Sequence, residues 1–207
     1  MKTVRKDSLE TKRLLVDAAE KLFAEQGVDN VKMVDVSQAA GQKNRNAAQY
    51  HFGSRAGLIT AVLNKHGRDI SADRRHRLAR VVQQPCHDLQ DLVAALVLPI
   101  SQHVRHAENG RTYLMLNRQL INNDDHIKLV WGRMNNFDDV LQLQQMMTAK
   151  IPAHAKPVIH AKMVLIQSML FNGLASFYDL STQQDDSTFV ATLCSSIVAV
   201  LTCDVNS

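Results

Sequence analysis

Residues 32–55 read KMVDVSQAAGQKNRNAAQYHFGSR, and this stretch decides the fold. Met33, Val36, Ala39 and Ala40 recur three or four residues apart, the spacing of one helix face. Gly41 suits the left-handed stop just beyond them. A polar turn follows, and a third short helix is expected from Arg45 to His51, closed by Gly53. Ser54 is placed to cap a fourth helix carrying Leu58, Ile59, Val62 and Leu63. Two short helices across a tight polar turn have helix-turn-helix form.

Upstream, Leu14, Leu15, Ala18, Ala19, Leu22 and Phe23 form one face of a helix from Ser8 to Gln26, with Asp7 or Ser8 as its cap and Gly27 past its end. The second helix lacks the usual Ser or Thr at its start, and Asn30 is the substitute cap. Phe52 and Tyr50, with the apolar faces of the first two helices, are expected to form the small core that fixes the angle of the third.

Downstream the helices lengthen. The basic run Arg68–Arg80 extends or follows the fourth, and Pro85 marks a boundary. Further helices are expected at Leu89–His106 (kinked at Pro99), Arg111–Asn122, Asp125–Lys150, Ala155–Tyr178 and Ser187–Cys203. No stretch alternates with the period of a strand. The class is therefore all-α, with a helix-turn-helix domain over residues 1–55 and a larger helical domain over 56–207.

Composition agrees. With 45% hydrophobic residues but only 4 Pro and 8 Gly in 207, the chain has material for helical cores and little punctuation for a β-sandwich. A net charge of +4 permits a polyanionic partner without demanding one. Cys86, Cys194 and Cys203 have no paired short spacing, so neither a disulfide framework nor a zinc knuckle follows. The charged N-terminus is not a signal peptide. Apolar stretches such as Met163–Phe171 and Ile197–Leu201 fall short of the ~20 residues of a membrane span. A cytoplasmic protein with no membrane partner is expected.

On Ala18-Ala19, Leu22-Phe23 and Gly27, then Val36-Ser37-Gln38-Ala39-Ala40-Gly41, then Tyr50-His51-Phe52-Gly53-Ser54-Arg55 leading into Leu58, the chain resembles the TetR family of transcriptional regulators over roughly Thr11 to Val62. The outer side of the third helix supports this independently. Arg45, Asn46, Ala47 and Gln49 are short or polar and free of acids, which suits entry into a major groove about 12 Å wide. Arg pairs bidentately with guanine, Asn or Gln with adenine, and Ala can touch a thymine methyl.

The resemblance implies that residues at the start of this helix read bases and that Arg55 contacts a phosphate. Lys43 and Asn44 in the turn are further phosphate or base contacts, and Tyr50 and His51 complete the expected DNA-binding set. The turn from Gly41 to Asn46 is one residue longer than the common family pattern. Gln49 stands where many members carry a backbone-gripping Tyr. The resemblance also implies a repressor that binds double-stranded operator DNA, an inverted repeat, as a homodimer. Its last two long helices would meet those of the partner, and a small hydrophobic effector would release it.

The expected effector contacts are His103, Met115, Asn117, Trp131, Met134, Met163 and Asn172, since Met and aromatic side chains adapt to apolar ligands. Catalytic residues and cofactors are not expected: there is no Glu-x-x-His, Walker loop or dinucleotide fingerprint. Metal sensing through His103 and His106 with Cys86-His87, or thiol sensing through Cys86, stays open as an alternative signal.

Overall fold

The computed structural model describes residues 2–123, 125–129, 137–180 and 185–204, and among them every regular element is helical. In chain order these are α1 (Lys2–Gln26), α2 (Met33–Ala39), α3 (Ala47–Phe52), α4 (Arg55–Gln83), α5 (Leu89–His106), α6 (Gly110–Ile121), α7 (Asp138–Lys150), a 3-10 turn (Ala153–Val158), α8 (Ile159–Leu180) and α9 (Ser187–Thr202).

The first three helices pack on one another and on the start of α4. Leu15, Ala19, Phe23, Val36, Ala48, Leu58, Ile59 and Val62 are closed to solvent. At 29 residues, α4 is about 43 Å long by helical rise. Its start serves the N-terminal unit, and its remainder packs on α5 and α7. Helix α5 sits at the centre of the larger unit, against α4, α6, α7 and α9, while α8 closes the layer between α6 and α9.

Two glycines fix chain geometry. Gly53 has φ +73°, a left-handed conformation that L side chains rarely adopt, and it turns the chain between α3 and α4. A Cβ on Gly110 would lie 2.2 Å from the His103 carbonyl oxygen, so the close approach of α6 to the end of α5 requires glycine.

Several expected boundaries shift. Helix α1 begins at Lys2, leaving Asp7 and Ser8 inside it rather than at its cap. Asn30 does not cap α2: its amide donates to the Gln26 carbonyl at the end of α1 (2.7 Å), and the Asp35 carboxylate instead accepts from the Lys32 N–H at the start of α2. Helix α3 starts at Ala47, so Arg45 and Asn46 belong to the turn. The single helix expected over Asp125–Lys150 is interrupted. The Asn123 side chain accepts from Asp125 N–H in a local turn, and Phe137 is extended before Asp138 and Asp139 open α7.

Pro157 falls in the 3-10 turn, and regular α-helix begins only at Ile159. Length and composition alone would let Ala153–Asp179 cross a membrane. Here it is a core helix whose Lys162 and Gln167 are buried in protein.

Candidate nucleic-acid interface and effector cavity

The α2–α3 pair is held together by one hydroxyl. Ser37 Oγ donates to the Met33 carbonyl (3.1 Å) and accepts the buried Ala48 N–H (3.0 Å). This fixes the two helices without lengthening either. The turn between them is tied by Asn44, whose side-chain oxygen accepts from Asn46 N–H (2.9 Å) and whose carbonyl accepts from Ala47 N–H (3.0 Å).

On this frame Lys43, Asn44, Arg45, Asn46, Gln49 and Tyr50 all face solvent. Tyr50 is 81% exposed. The place in the small core expected for it is thereby corrected: the ring lies in solvent. Ala47 is corrected in the other direction. At 5% exposure it packs inward, since its place in the first turn of α3 faces the core, and it cannot reach a thymine methyl in this conformation. His51 is half-buried, and burial, then Lys12 nearby, hold its pKa below the ordinary value. The Gln49 amide is folded back onto the Gly53 carbonyl.

From Val36 to Arg68 there is no acidic residue, while Lys43, Arg45, Arg55, Lys65 and Arg68 lie in that span. Arg55 stands at the head of α4, which Ser54 caps by accepting from Gly57 N–H (3.0 Å). Arg55 Nη1 also donates to the Asp29 carbonyl (3.1 Å), leaving other guanidinium donors for an anion.

Two joints connect this head to the body. In the first, the Asp29 carboxylate meets His126 Nε2 (2.7 Å) and accepts from Asn123 Nδ2 (3.0 Å), while Val28 N–H donates to Gln119 Oε1 (3.0 Å). The loop that holds Arg55 is thereby clasped by the end of α6.

The second joint is buried. Glu20 of α1 is hydrogen-bonded to His66 and accepts from Lys65 (2.7 Å), and His66 Nδ1 pairs with His103 Nε2 at 2.8 Å. Burial pushes the Glu20 carboxyl up, but the hydrogen bonds from His66 and Lys65 outweigh it and hold the group below the carboxylate range. His103 is held low, first by burial and then by the charge of His66. Ser37, Asp29, Glu20 and His126 were not singled out as site residues from the sequence, and Gln119 stood out there only as a polar group that could orient a ligand. Glu20 beside Ala19 and Ser37 beside Val36 carried a signal, a polar residue next to an inward apolar one. Asp29 and its partners carried none.

In the body, a cavity of about 60 Å³ lies between α4, α5, α6, α7 and α8, lined by Ile70, Arg74, Ile100, Tyr113, Ile166 and Phe171 among others. An outer groove of about 310 Å³ between α5, α7 and α8 shares Leu96, Val140 and Met163 with it. Of the seven expected effector contacts, Met163 lines both hollows. Trp131 and Met134 lie outside the described residues.

The other four line neither hollow. His103 is in the joint with His66, and Asn117 is buried with its amide on the Tyr113 carbonyl (2.8 Å). Asn172 faces Asn122 and Ser168, and Met115 packs against the general core. The helix turns these side chains away from the hollow, a rotation that residue type does not reveal. His106 and Cys86 are exposed, and no three His, Cys, Asp or Glu among the described residues are grouped to hold a metal.

Helix α8 is apolar on its inner side and in part outside, and the outer side of α9 carries small residues. Ile166, Leu170, Leu174, Val190, Ile197 and Leu201 are buried, while Val164 and Leu165 are 49% and 55% exposed. Ala191, Thr192, Ser195 and Ala199 likewise face outward along α9.

Residues 15–62 match the family model described as bacterial regulatory proteins, tetR family. No curated protein sequence matches the chain. Among solved structures, the chain is similar to NalD, the secondary repressor of the MexAB-OprM multidrug efflux pump in Pseudomonas aeruginosa. The identity is 22% and the TM-score 0.62, over 95% of this chain and 99% of that one. It is also similar to the multidrug binding protein EbrR complexed with malachite green (12%, TM-score 0.58, 90% and 96% covered). A third is SmeT, the repressor of the Stenotrophomonas maltophilia efflux pump SmeDEF (15%, TM-score 0.53, 90% and 91% covered). At these identities the likeness establishes the fold.

Proposed function

We propose that this chain, which carries the TetR-family DNA-binding domain on a TetR-like fold, is a ligand-responsive transcriptional repressor. It binds an inverted-repeat operator as a homodimer and lets go when a small hydrophobic molecule occupies the body. The observation that carries the reading is the acid-free surface formed by Lys43, Arg45, Asn46, Gln49 and Tyr50, presented outward on a helix pair locked by Ser37. Such a surface has the donors for base edges and the charge for phosphates. Its action is binding, with no catalytic step, in the cytoplasm where the genome lies.

The 1–55 and 56–207 units divide this work, with α4 common to both. The outward strips of α8 and α9 pair with those of a second copy, so that two heads address successive major grooves about 34–36 Å apart. Neighbours named as repressors of multidrug efflux pumps favour a hydrophobic effector. Occupation of the hollow against α4 and α6 is transmitted through the two joints: Gln119, Asn123 and His126 onto the Asp29 loop and Arg55, and His66 onto Glu20. Reciprocally, DNA lowers effector affinity by the same factor, typically ~1–3 kcal/mol of coupling.

The test is Arg45→Ala. Specific binding falls by about 1–3 kcal/mol while binding to random duplex changes little, measured by fluorescence anisotropy. Equal losses on both DNAs would remove base reading from Arg45.

A further inference from the structure

Of the polar side chains that line the inner cavity, Arg74, Tyr113 and Gln167, Arg74 brings a hydrogen-bond donor that has no acceptor among the described residues. Arg74 lines the cavity and is 5% exposed. Its Nη1 is committed to Asp139 Oδ2 at 2.9 Å, yet its buried Nε–H has no acceptor among the described residues. Asp139 is itself spoken for: one oxygen accepts from Ser71 Oγ (2.5 Å), the other from Arg74. Arg75 Nη1 lies 4.0 Å from the same carboxylate, so Asp139 already serves two guanidinium groups. Around the Arg74–Asp139 pair the surfaces are mostly hydrocarbon, from Ile70, Ile100, Ile166 and Leu170 in the cavity to Leu143 and Met147 in the outer groove, with Gln167 in the first and Gln144, Thr148 and His160 in the second. A buried donor left unmade costs free energy, and that cost is recovered by whichever ligand supplies the missing lone pair.

We infer that the effector is an uncharged apolar molecule bearing a hydrogen-bond acceptor such as a carbonyl oxygen, which enters the inner cavity and accepts from Arg74 Nε–H while the apolar body fills the outer groove. This rests on the effector-binding reading above and adds its polarity. Lipophilic cations are disfavoured, because they would bring positive charge to Arg74, whose counter-ion Asp139 is already shared with Arg75. The site therefore differs in kind from one that takes a cationic dye.

The experiment compares three probes of nearly one shape by titration calorimetry on the full chain: 2-acetylnaphthalene, 2-isopropenylnaphthalene and 1-(2-naphthyl)ethylammonium. They differ in presenting a carbonyl oxygen, a methylene or an ammonium at the same place. The acetyl compound is expected to bind about tenfold or more tighter than the isopropenyl one, as for a hydrogen bond to a charged donor, and the ammonium compound most weakly.

In the double variant Arg74→Met with Asp139→Leu, which replaces the buried pair by hydrocarbon, the acetyl compound falls to the isopropenyl affinity while the isopropenyl affinity holds. The comparison on the unaltered protein stands even if that variant fails to fold. Equal affinities for acetyl and isopropenyl, or tightest binding of the ammonium compound, would overturn the inference and leave the effector site intact. Failure of all three to bind would remove the site and the inference with it.

Discussion

The head and the body handle polarity in opposite ways. In the head, the apolar residues of α1, α2 and α3 are spent on a small closed core, and the polar ones stand outside it. Apart from Glu20 in the joint, the buried polar side chain there is Ser37, satisfied on both sides at 3.0 and 3.1 Å. In the body, charge is taken inside: Arg74 with Asp139, and Asp186 with Ser101 (3.0 Å), Arg105 (2.9 Å) and the hydroxyl of Tyr178. Burial, then the hydrogen bond to Asp186, pushes the Tyr178 phenol up to about 12. A head built to read DNA keeps its polar groups available. The body keeps buried pairs whose partners sit on different helices, an arrangement that suits the change of state proposed for it.

The largest expected effect belongs to the body. Asp139→Ala leaves Arg74 charged and uncompensated in the interior and should destabilise the fold by about 3–5 kcal/mol in urea unfolding. A loss under about 1 kcal/mol would mean the pair is solvated and the contrast with the head is false. Ser37→Ala strands the Ala48 N–H and should cost about 1–3 kcal/mol, with specific DNA affinity falling alongside stability. Unchanged DNA affinity in the folded variant would show that α3 is positioned by something else. Ser54→Ala removes the α4 cap and should cost about 0.5–2 kcal/mol, checked by thermal unfolding.

The smallest expected effect lies in the buried joint. The folded pKa of His103 is below the ordinary 6.5, so its neutral ring contributes stability that is complete above that pH and is lost as pH falls from there through the folded value. Glu20, held below 4.5, loses its share only in more acidic solution. Unfolding midpoints at about pH 5.5 and 7.5 should differ in the intact chain and lie closer together in His103→Gln, where His51 still supplies part of the difference. The same slope in both would place the proton elsewhere.

The same contrast explains what was legible. Helix-turn-helix form, the ends near Gly27, Gly41 and Gly53, and the Ser54 cap follow from neighbours in sequence, and so did the acid-free face of α3. Which way Ala47 and Tyr50 turn did not, because a helix of six residues gives too little periodicity to orient itself against its core. The joints and the cavity donor were not legible either: Val28 and Gln119, Arg74 and Asp139, and Ser101 and Asp186 are 91, 65 and 85 residues apart. Only packing brings them together. Met163 could be placed at the hollow from its type, whereas Asn117 and His103 have the right chemistry and point elsewhere.

The most direct test of the central claim is selection of bound duplexes from a fully randomised DNA pool by the intact protein. Enrichment of an inverted repeat is expected, with half-sites separated as two heads on successive major grooves require, and it should be abolished in Arg45→Ala. Recovery of no preferred sequence, or of isolated half-sites with no two-fold partner, would contradict it.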